Sequence, residues 1–483
     1  MTLFLAISIY IAVMVILGFI SYRKEGEKGY FLAGGKLGPW LTSLSFFATY
    51  FSTSALLGGG GAGYLFGFGW SAYLTFFHVL FAVLAWVLVA PKLKDYVEKK
   101  GILTVPEFFL KRYDSKALQI ISALIILVFF EFYMISIYKG ASNLLQVMVG
   151  VPYKYGILLV ALPVIIYTSL GGFRAVVLTD FIQGILLLVG GVSLFGVLVY
   201  KMGGIASGLA ALSRITLPGG VSGKALLTLG GYGPPPILKA GMMIPFILSL
   251  TFAISIAQLS SPQLVIRFYA ARDKRVIRKG MILTPILIGL FAVTVFSIGP
   301  FAHLFIKGVK DPDLVIPLLT RKLFPEAFSS ILLVAALAAA MSTVNSNLMV
   351  LSSSLVKDVL GLHSVRLARI SVIILGVISP LLALNPPGII VTIVGLAFSV
   401  ITSAFLIPLL VGLYSKRPSK IGALLSMIVS VVSCIIWQIF FYKKLFIYPV
   451  VPGLIMAFLF YYLGALLSRP EKEEAASPSA SAN

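Results

Sequence analysis

The sequence predicts an all-α protein that crosses a membrane about thirteen times, and three observations lead to that prediction. Hydrophobic residues make up 59% of the 483 and charged residues only 11%, with a mean hydropathy of +1.04, a balance that soluble domains do not have. The apolar residues fall into runs of roughly 18 to 32, enough to cross a ~30 Å hydrocarbon core with some tilt. The net charge of +22 sits in short loops between these runs. About two thirds of the Lys and Arg fall in alternate loops, which places the N-terminus outside and the C-terminus in the cytoplasm of a multi-pass cell-membrane protein. That pattern explains the basic charge without nucleic acid as a partner. Cys434 is the single cysteine, so no disulfide framework exists, and three scattered histidines form no zinc cluster.

The spans follow in order. Run 2–20 begins without Lys or Arg and has no small-residue cleavage site before SYRKEGEK, so it reads as a span rather than a signal peptide. Run 38–66 is interrupted: Thr49, Ser52, Thr53 and Ser54 precede Gly58, Gly59, Gly60 and Gly61. Polar groups and loosened backbone at bilayer depth are tolerated only where protein or a wet cavity covers them. Runs 70–91, 117–148, 154–172 and 175–200 are more uniform. Segment 201–239, with GGYGPPP, reads as a loop. Run 240–266 is broken again, by Ser255, Gln258, Ser260, Ser261 and Pro262, since proline removes a backbone donor and clashes with the preceding turn. Run 280–306 follows. Segment 311–325 is expected to form a short surface helix in an external gate. Runs 327–356, 367–384, 388–413, 419–441 and 447–467 complete the set. The polar, Ser/Ala-rich residues 468–483 read as a disordered cytoplasmic tail.

Residues 1–467 thus form one transmembrane domain. Two units of five spans, about 38–200 and 240–413, each open on a broken helix. An odd number per unit gives them opposite orientation, the arithmetic of an inverted repeat with a solute site between the breaks. One helix precedes the repeats and two follow.

The residues that carry chemistry are few. Ala339, Ser342 and Thr343 share one helix face at i, i+3 and i+4. Their oxygens suit a hard cation, though small residues and hydroxyls also serve close helix packing; spacing leaves both readings open. Asp180 and Glu131 are acids within the spans, and an acid there is a functional candidate by default. Lys139, two turns after Glu131, faces the same cavity or snorkels outward. His78 lies beside the expected cavity, as a core histidine or a proton sensor. The stretch RFYAARDKRVIRKG reads as topology charge and lipid-headgroup contact. The glycine run is not a phosphate loop, because no GK[ST] follows. No nucleophile–base pair or metal cluster appears, so the chain does not read as an enzyme.

The blocks FATYFSTSALLGGGGAGYLFGFGW, GGFRAVVLTDFIQG, SSPQLVIRFYAARD and AALAAAMSTVNSNLMVLSSSLVKD, in that order, resemble the sodium:solute symporter family over nearly the whole chain. The resemblance implies a LeuT-type fold and Na⁺ as co-transported ion. It places Na⁺ on the carbonyls of Ala48, Phe51 and Ala339 and the hydroxyls of Ser342 and Thr343, with Asp180 near the ion path. ATYFSTS with its glycine run, GGFRAVVLTD, PDLVIP, NPPG and VVPG look most like the pantothenate branch. The proline branch has an acid where this chain has Tyr50, and Trp and Tyr where it has Ile254 and Gln258. Thr49, Tyr50, Ser52, Thr53 and Gln258 are candidate solute contacts; lining the pathway or capping the break is the other reading for each. The expected function is Na⁺-coupled symport of a small carboxylate such as pantothenate, with proline, another amino acid, a monocarboxylate or a sugar as alternatives. A transporter-like sensor and a uniporter are readings from other classes. The expected partners are the solute, Na⁺ and the bilayer, with no obligate protein partner.

Overall fold

The computed structural model describes residues 2–24, 26–234 and 236–468, so the tail beyond Ser468 lies outside the described residues. Its long helices are α1 (Thr2–Ser21), α2 (Pro39–Tyr50), α3 (Ser54–Lys100), α4 (Lys116–Val149), α5 (Tyr153–Lys201), α6 (Met243–Ala270) and α7 (Lys274–Ala302). They continue with the short α8 (Val315–Leu323), then α9 (Glu326–Val359), α10 (Val365–Leu382), α11 (Ile390–Tyr414), α12 (Lys420–Leu445) and α13 (Val450–Leu467). Among the described residues, 11 helices are long and apolar enough to cross a membrane.

Two of them, α3 with 47 residues and α5 with 49, far exceed one crossing. Each contains a glycine that leaves helical geometry: Gly67 at φ 72°, ψ −164° and Gly172 at φ 57°, ψ −154°. Only glycine populates that region freely. Neighbours also press on both: a Cβ at Gly172 would meet the Tyr30 ring at 2.6 Å, and one at Gly67 the Leu226 carbonyl oxygen at 2.7 Å.

Burial sorts the helices. The most apolar windows of α1, α12 and α13 are only 22%, 22% and 28% buried, against 78% for α9 and 83% for α11. The first helix and the last two therefore lie at the periphery, with isoleucine, leucine and phenylalanine facing outward. Helix α9 runs through the centre because its Ala and Ser positions let α5 and α4 approach closely.

Both expected breaks exist, though not quite where the sequence placed them. Helix α2 ends at Phe51, with φ −91° and ψ 88°, and Ser52 Oγ accepts the Ser54 N–H (3.1 Å) as the chain re-enters α3. The four glycines are helical, not broken. They bring neighbours close: added Cβ atoms would meet Ile390 at 2.6 Å from Gly58, Phe296 at 2.8 Å from Gly59, and the Pro312 carbonyl oxygen at 2.1 Å from Gly61. In α6, the helix tightens at Ala257–Leu259 and breaks at Ser260 and Ser261. Pro262 then opens the resumed helix at its first turn, where its missing N–H costs nothing.

Other expectations change as well. Segment 201–239 is more than a loop: it holds a helix, Ile205–Arg214, and a two-residue antiparallel strand pair, Thr216–Leu217 with Val221–Ser222. The short helix expected within 311–325 forms as α8, amphipathic: Val315, Ile316, Pro317, Leu319 and Thr320 are buried, and Arg321 and Lys322 are exposed.

Replacing Gly61 by alanine drives a methyl into a backbone oxygen that has no rotamer to escape through. The expected result is a loss of about 1–3 kcal/mol, the usual cost of overpacking, read as a lowered melting temperature of detergent-purified protein. An unchanged melting temperature would mean that segment 312–314 is not seated on the glycine run.

Candidate ion and solute site

The broken end of α2 meets the small-residue face of α9. Ser342 Oγ donates to Ala48 O (2.9 Å) or Ala339 O (3.1 Å), and Thr343 Oγ1 to Thr49 O (3.1 Å) or Ala339 O (3.3 Å). Three carbonyls and two hydroxyls thus converge in a fully buried place. Each hydroxyl keeps lone pairs for a cation while its proton serves a carbonyl. The donor set is all oxygen, neutral and partly drawn from a helix end, which suits a hard monovalent cation. Of the expected ion ligands, Ala48, Ala339, Ser342 and Thr343 are brought together. Phe51 is not hydrogen-bonded to either hydroxyl, but Ala55 N–H turns to Ser52 O (3.0 Å), leaving Phe51 O outside the helix ladder.

Beside this point lies a charged network that the sequence did not reveal. Arg267, expected to be topology charge, is fully buried and ion-paired with Asp180 at 2.8 Å, both side chains 0% exposed. Arg267 also donates to Thr49 Oγ1 (2.7 Å), Ser346 Oγ (2.5 Å), Ser45 Oγ (3.1 Å) and the Gln263 carbonyl. Asp180 accepts from Ser45 Oγ (2.7 Å) and Asn345 Nδ2 (3.3 Å). A guanidinium offers five donors in a planar fork, which is what lets one side chain join α2, α5, α6 and α9. Thr49, expected to touch solute, is spent here through its hydroxyl and on Thr343 through its carbonyl. Only the fact that RFYAARD follows directly on a break hinted that Arg267 begins inside the protein.

On the other side of the break is a small cavity of about 30 Å³. Tyr50 and Ser52 from the break line it, with Ser54, His78, Tyr133 and Phe296 from neighbouring helices. Among the described residues, no Asp, Glu, Lys or Arg does. Tyr50 Oη reaches Ile254 O (3.4 Å), Tyr133 Oη reaches Ser52 Oγ (3.4 Å), and His78 Nδ1 lies 2.6 Å from Ser255 Oγ. His78 is therefore a hydrogen-bonded wall residue. Thr53 points away, to Ile137 O (3.1 Å), and Gln258 Nε2 donates to His78 O (3.0 Å) behind the wall. Of the expected solute contacts, Tyr50 and Ser52 face the cavity, and Thr49, Thr53 and Gln258 do not. Trp70, Tyr133 and Phe398 went unnoticed because aromatic residues recur throughout the chain.

Lys139 pairs neither with Glu131 nor with a membrane surface. Its Nζ binds Asp313 (2.6 Å) and Gly388 O (3.0 Å), and Asp313 also accepts the Ile390 N–H (3.0 Å). This clamps the short segment before α8 to α4 and to the start of α11. Burial pushes the Asp313 carboxyl up, while the Lys139 ammonium pulls against it. Glu131 is buried with neither carboxyl oxygen hydrogen-bonded to a described residue.

Two interrupted helices, a buried oxygen cluster at one break and a charge-free cavity beside it define a secondary transporter of LeuT-type fold. The chain belongs to the sodium:solute symporter family, whose model matches residues 30–430. Na⁺ is accordingly its co-transported ion, and it is a transporter rather than an enzyme. An osmoregulated proline transporter of Bacillus subtilis is 31% identical over 97% of this chain and 95% of its own length. A sodium/pantothenate symporter of Haemophilus influenzae is 30% identical over 94% and 93%. A Na⁺-coupled sialic acid symporter, solved in a substrate-bound outward-open state, shares the fold with a TM-score of 0.77 at 20% identity, covering 97% of this chain and 98% of that one.

Removing one member of the Asp180–Arg267 pair strands the other as a buried charge. Arg267→Met or Asp180→Asn alone is expected to cost about 3–5 kcal/mol, and the double variant distinctly less than the sum. Thermal unfolding of the three variants checks this; additive losses would mean that the two side chains are not energetically coupled.

Proposed function

We propose that this protein couples Na⁺ entry to uptake of a small carboxylate solute by alternating access. Na⁺ is held by the carbonyls of Ala48, Phe51 and Ala339 and the hydroxyls of Ser342 and Thr343. One observation carries the reading: consecutive residues of one break serve two purposes. Ala48 and Thr49 turn their carbonyls to α9, whereas Tyr50 and Ser52 face the cavity. A cation that pins the break against α9 thereby fixes the cavity wall, so Na⁺ affinity and solute affinity are linked, and reciprocally so. Asp180 acts one layer out, accepting from Thr49 Oγ1 (3.3 Å) and holding Arg267 against it.

The solute side rests on the cavity's chemistry. Aromatic and aliphatic walls with a few hydroxyls suit a compact apolar body. The absence of a lining acid, together with helix ends at the break, suits one carboxylate rather than a cation. Pantothenate meets this description and is our first candidate, supported by the motif pattern and by a relative of that name. Proline is the second reading, favoured by the Bacillus subtilis relative. We read α3 as divided at Gly67 and α5 at Gly172, which supports thirteen crossings with repeats at about 38–200 and 240–413; the N-terminus outside rests on the placement of the basic loops in the sequence.

Uptake into proteoliposomes of pantothenate, proline, lactate, acetate and a sugar tests the solute. Pantothenate is expected to give the largest Na⁺-driven signal, and accumulation that persists when choline replaces Na⁺ would overturn the coupling.

Ser342→Ala and Thr343→Ala each remove one oxygen, worth about 0.5–1.5 kcal/mol. The Na⁺ concentration for half-maximal uptake is therefore expected to rise roughly two- to ten-fold, with the solute KM nearly unchanged at saturating Na⁺. Equal losses at every Na⁺ concentration would count against both residues as ligands.

A further inference from the structure

A second groove lies where the end of α1 meets the start of α10, beside the α5 break at Gly172. Arg23 and Lys24 follow α1, and Arg366 and Arg369 stand one turn apart at the start of α10. All four line a groove with an empty volume of about 1230 Å³, floored by Ser169 and Leu170. Among the described residues no carboxylate lines it, and no ion pair joins any of the four cations to a described acid. Glu27, the described acid nearest in sequence, is taken by Lys357 (3.6 Å) and His363 (3.1 Å). Among the described residues no carboxylate pairs with any of these four like charges, and an anion between them would relieve their mutual repulsion.

The groove is built rather than merely charged. The Arg369 guanidinium is held over the rings of Tyr22 (4.5 Å) and Tyr30 (5.6 Å), and its NH2 group donates to Arg23 O (3.2 Å). That leaves its Nε–H buried and without a partner. A smaller adjoining cavity, about 10 Å³, shares Arg23, Leu170 and Arg369 with the groove. Ser21 lines it, 3% exposed and with its Oγ also unpartnered. Two orphaned donors thus meet at one place, and both suit an acceptor-rich anion.

The other basic cluster offers a contrast. There Arg272 pairs with Asp273 (3.0 Å) and Lys274 with Asp95 (2.9 Å), while Arg278 and Lys279 have no ion pair to a described acid and line no such groove, which makes them the control for charge alone. Below the α1–α10 cluster, Ile370, Ile373, Ile374 and Val377 form an exposed stripe at helical spacing along α10. A cationic cup continuous with an apolar stripe at a membrane boundary matches an amphiphile with a phosphate head better than a free ion.

We propose that this groove is a binding site for an anionic phospholipid, its phosphodiester held by Arg23, Lys24, Arg366 and Arg369 and its acyl chains lying along α10. The lipid would brace α1 and α10 against α5 next to the Gly172 break, where Tyr30 Oη already binds Ser169 O (3.3 Å).

Native mass spectrometry of the full-length protein, titrated with phosphatidylglycerol or phosphatidylcholine, tests this. At limiting lipid, phosphatidylglycerol is expected to be retained and phosphatidylcholine not. Arg366→Gln, which removes a side chain with no described partner, should weaken retention about five-fold, and Arg366→Gln with Arg369→Gln about thirty-fold. Arg278→Gln with Lys279→Gln should leave it unchanged. Equal retention by all variants, or a loss as large in the Arg278/Lys279 control, would overturn the site. Stripping of the lipid by millimolar inorganic phosphate would overturn the lipid assignment in favour of a free-anion site. A melting temperature for Arg366→Gln equal to that of the parent protein keeps a binding loss from being a folding loss.

Discussion

The centre of this molecule depends on one buried ion pair. Asp180 and Arg267 sit where water does not reach, and neither is tolerable there alone. Together, and with Ser45, Thr49, Asn345 and Ser346 filling their remaining hydrogen bonds, they tie α2, α5, α6 and α9 at a single point. The broken end of α2 is thereby fixed in space without being continuous helix. A site made from backbone carbonyls needs that, since carbonyls have no side chain of their own to position them.

From this anchor the break works as a divider. Its first two residues offer oxygen to α9, and the next ones offer an aromatic ring and a hydroxyl to the cavity. The two surfaces are a few residues apart, so one adjustment of the chain between 48 and 53 alters both. The glycine run after the break makes this possible by a different route from the one its composition suggests. Glycine is there for closeness: Phe296, Ile390 and the Pro312 carbonyl press onto it. The Lys139–Asp313 pair then holds segment 312–314 in that seat.

The sequence was most informative where a residue type is expensive at bilayer depth. Hydroxyls at 49–54 and the Ser260–Pro262 stretch marked both breaks. The Ala339, Ser342, Thr343 spacing marked the face of α9 that meets α2, because helical periodicity survives in sequence. It was least informative about partners. Arg267 and Asp180 are 87 residues apart, and Lys139 and Asp313 are 174 apart. Nothing local distinguishes an arginine that ends a span from one that is swallowed by it. The same gap explains Thr49, Thr53 and Gln258. Their polarity was legible, but which way each points depends on the turn at Phe51 and on the tightening at Ala257–Leu259.

The sequence alone therefore determined that the chain lives in a membrane, that two of its helices are broken, and that a small hydroxylated face waits for one of the breaks. These follow from the cost of burying polar backbone and from helical periodicity, both local properties. The tertiary structure decided which polar groups meet: Arg267 with Asp180, Lys139 with Asp313, Ser342 and Thr343 with the carbonyls of residues 48 and 49. It also decided which residues of the break face the cavity. Those choices are long-range because, in a low-dielectric interior, a charge or an open carbonyl is stable only against a particular partner, and the fold alone brings that partner within reach.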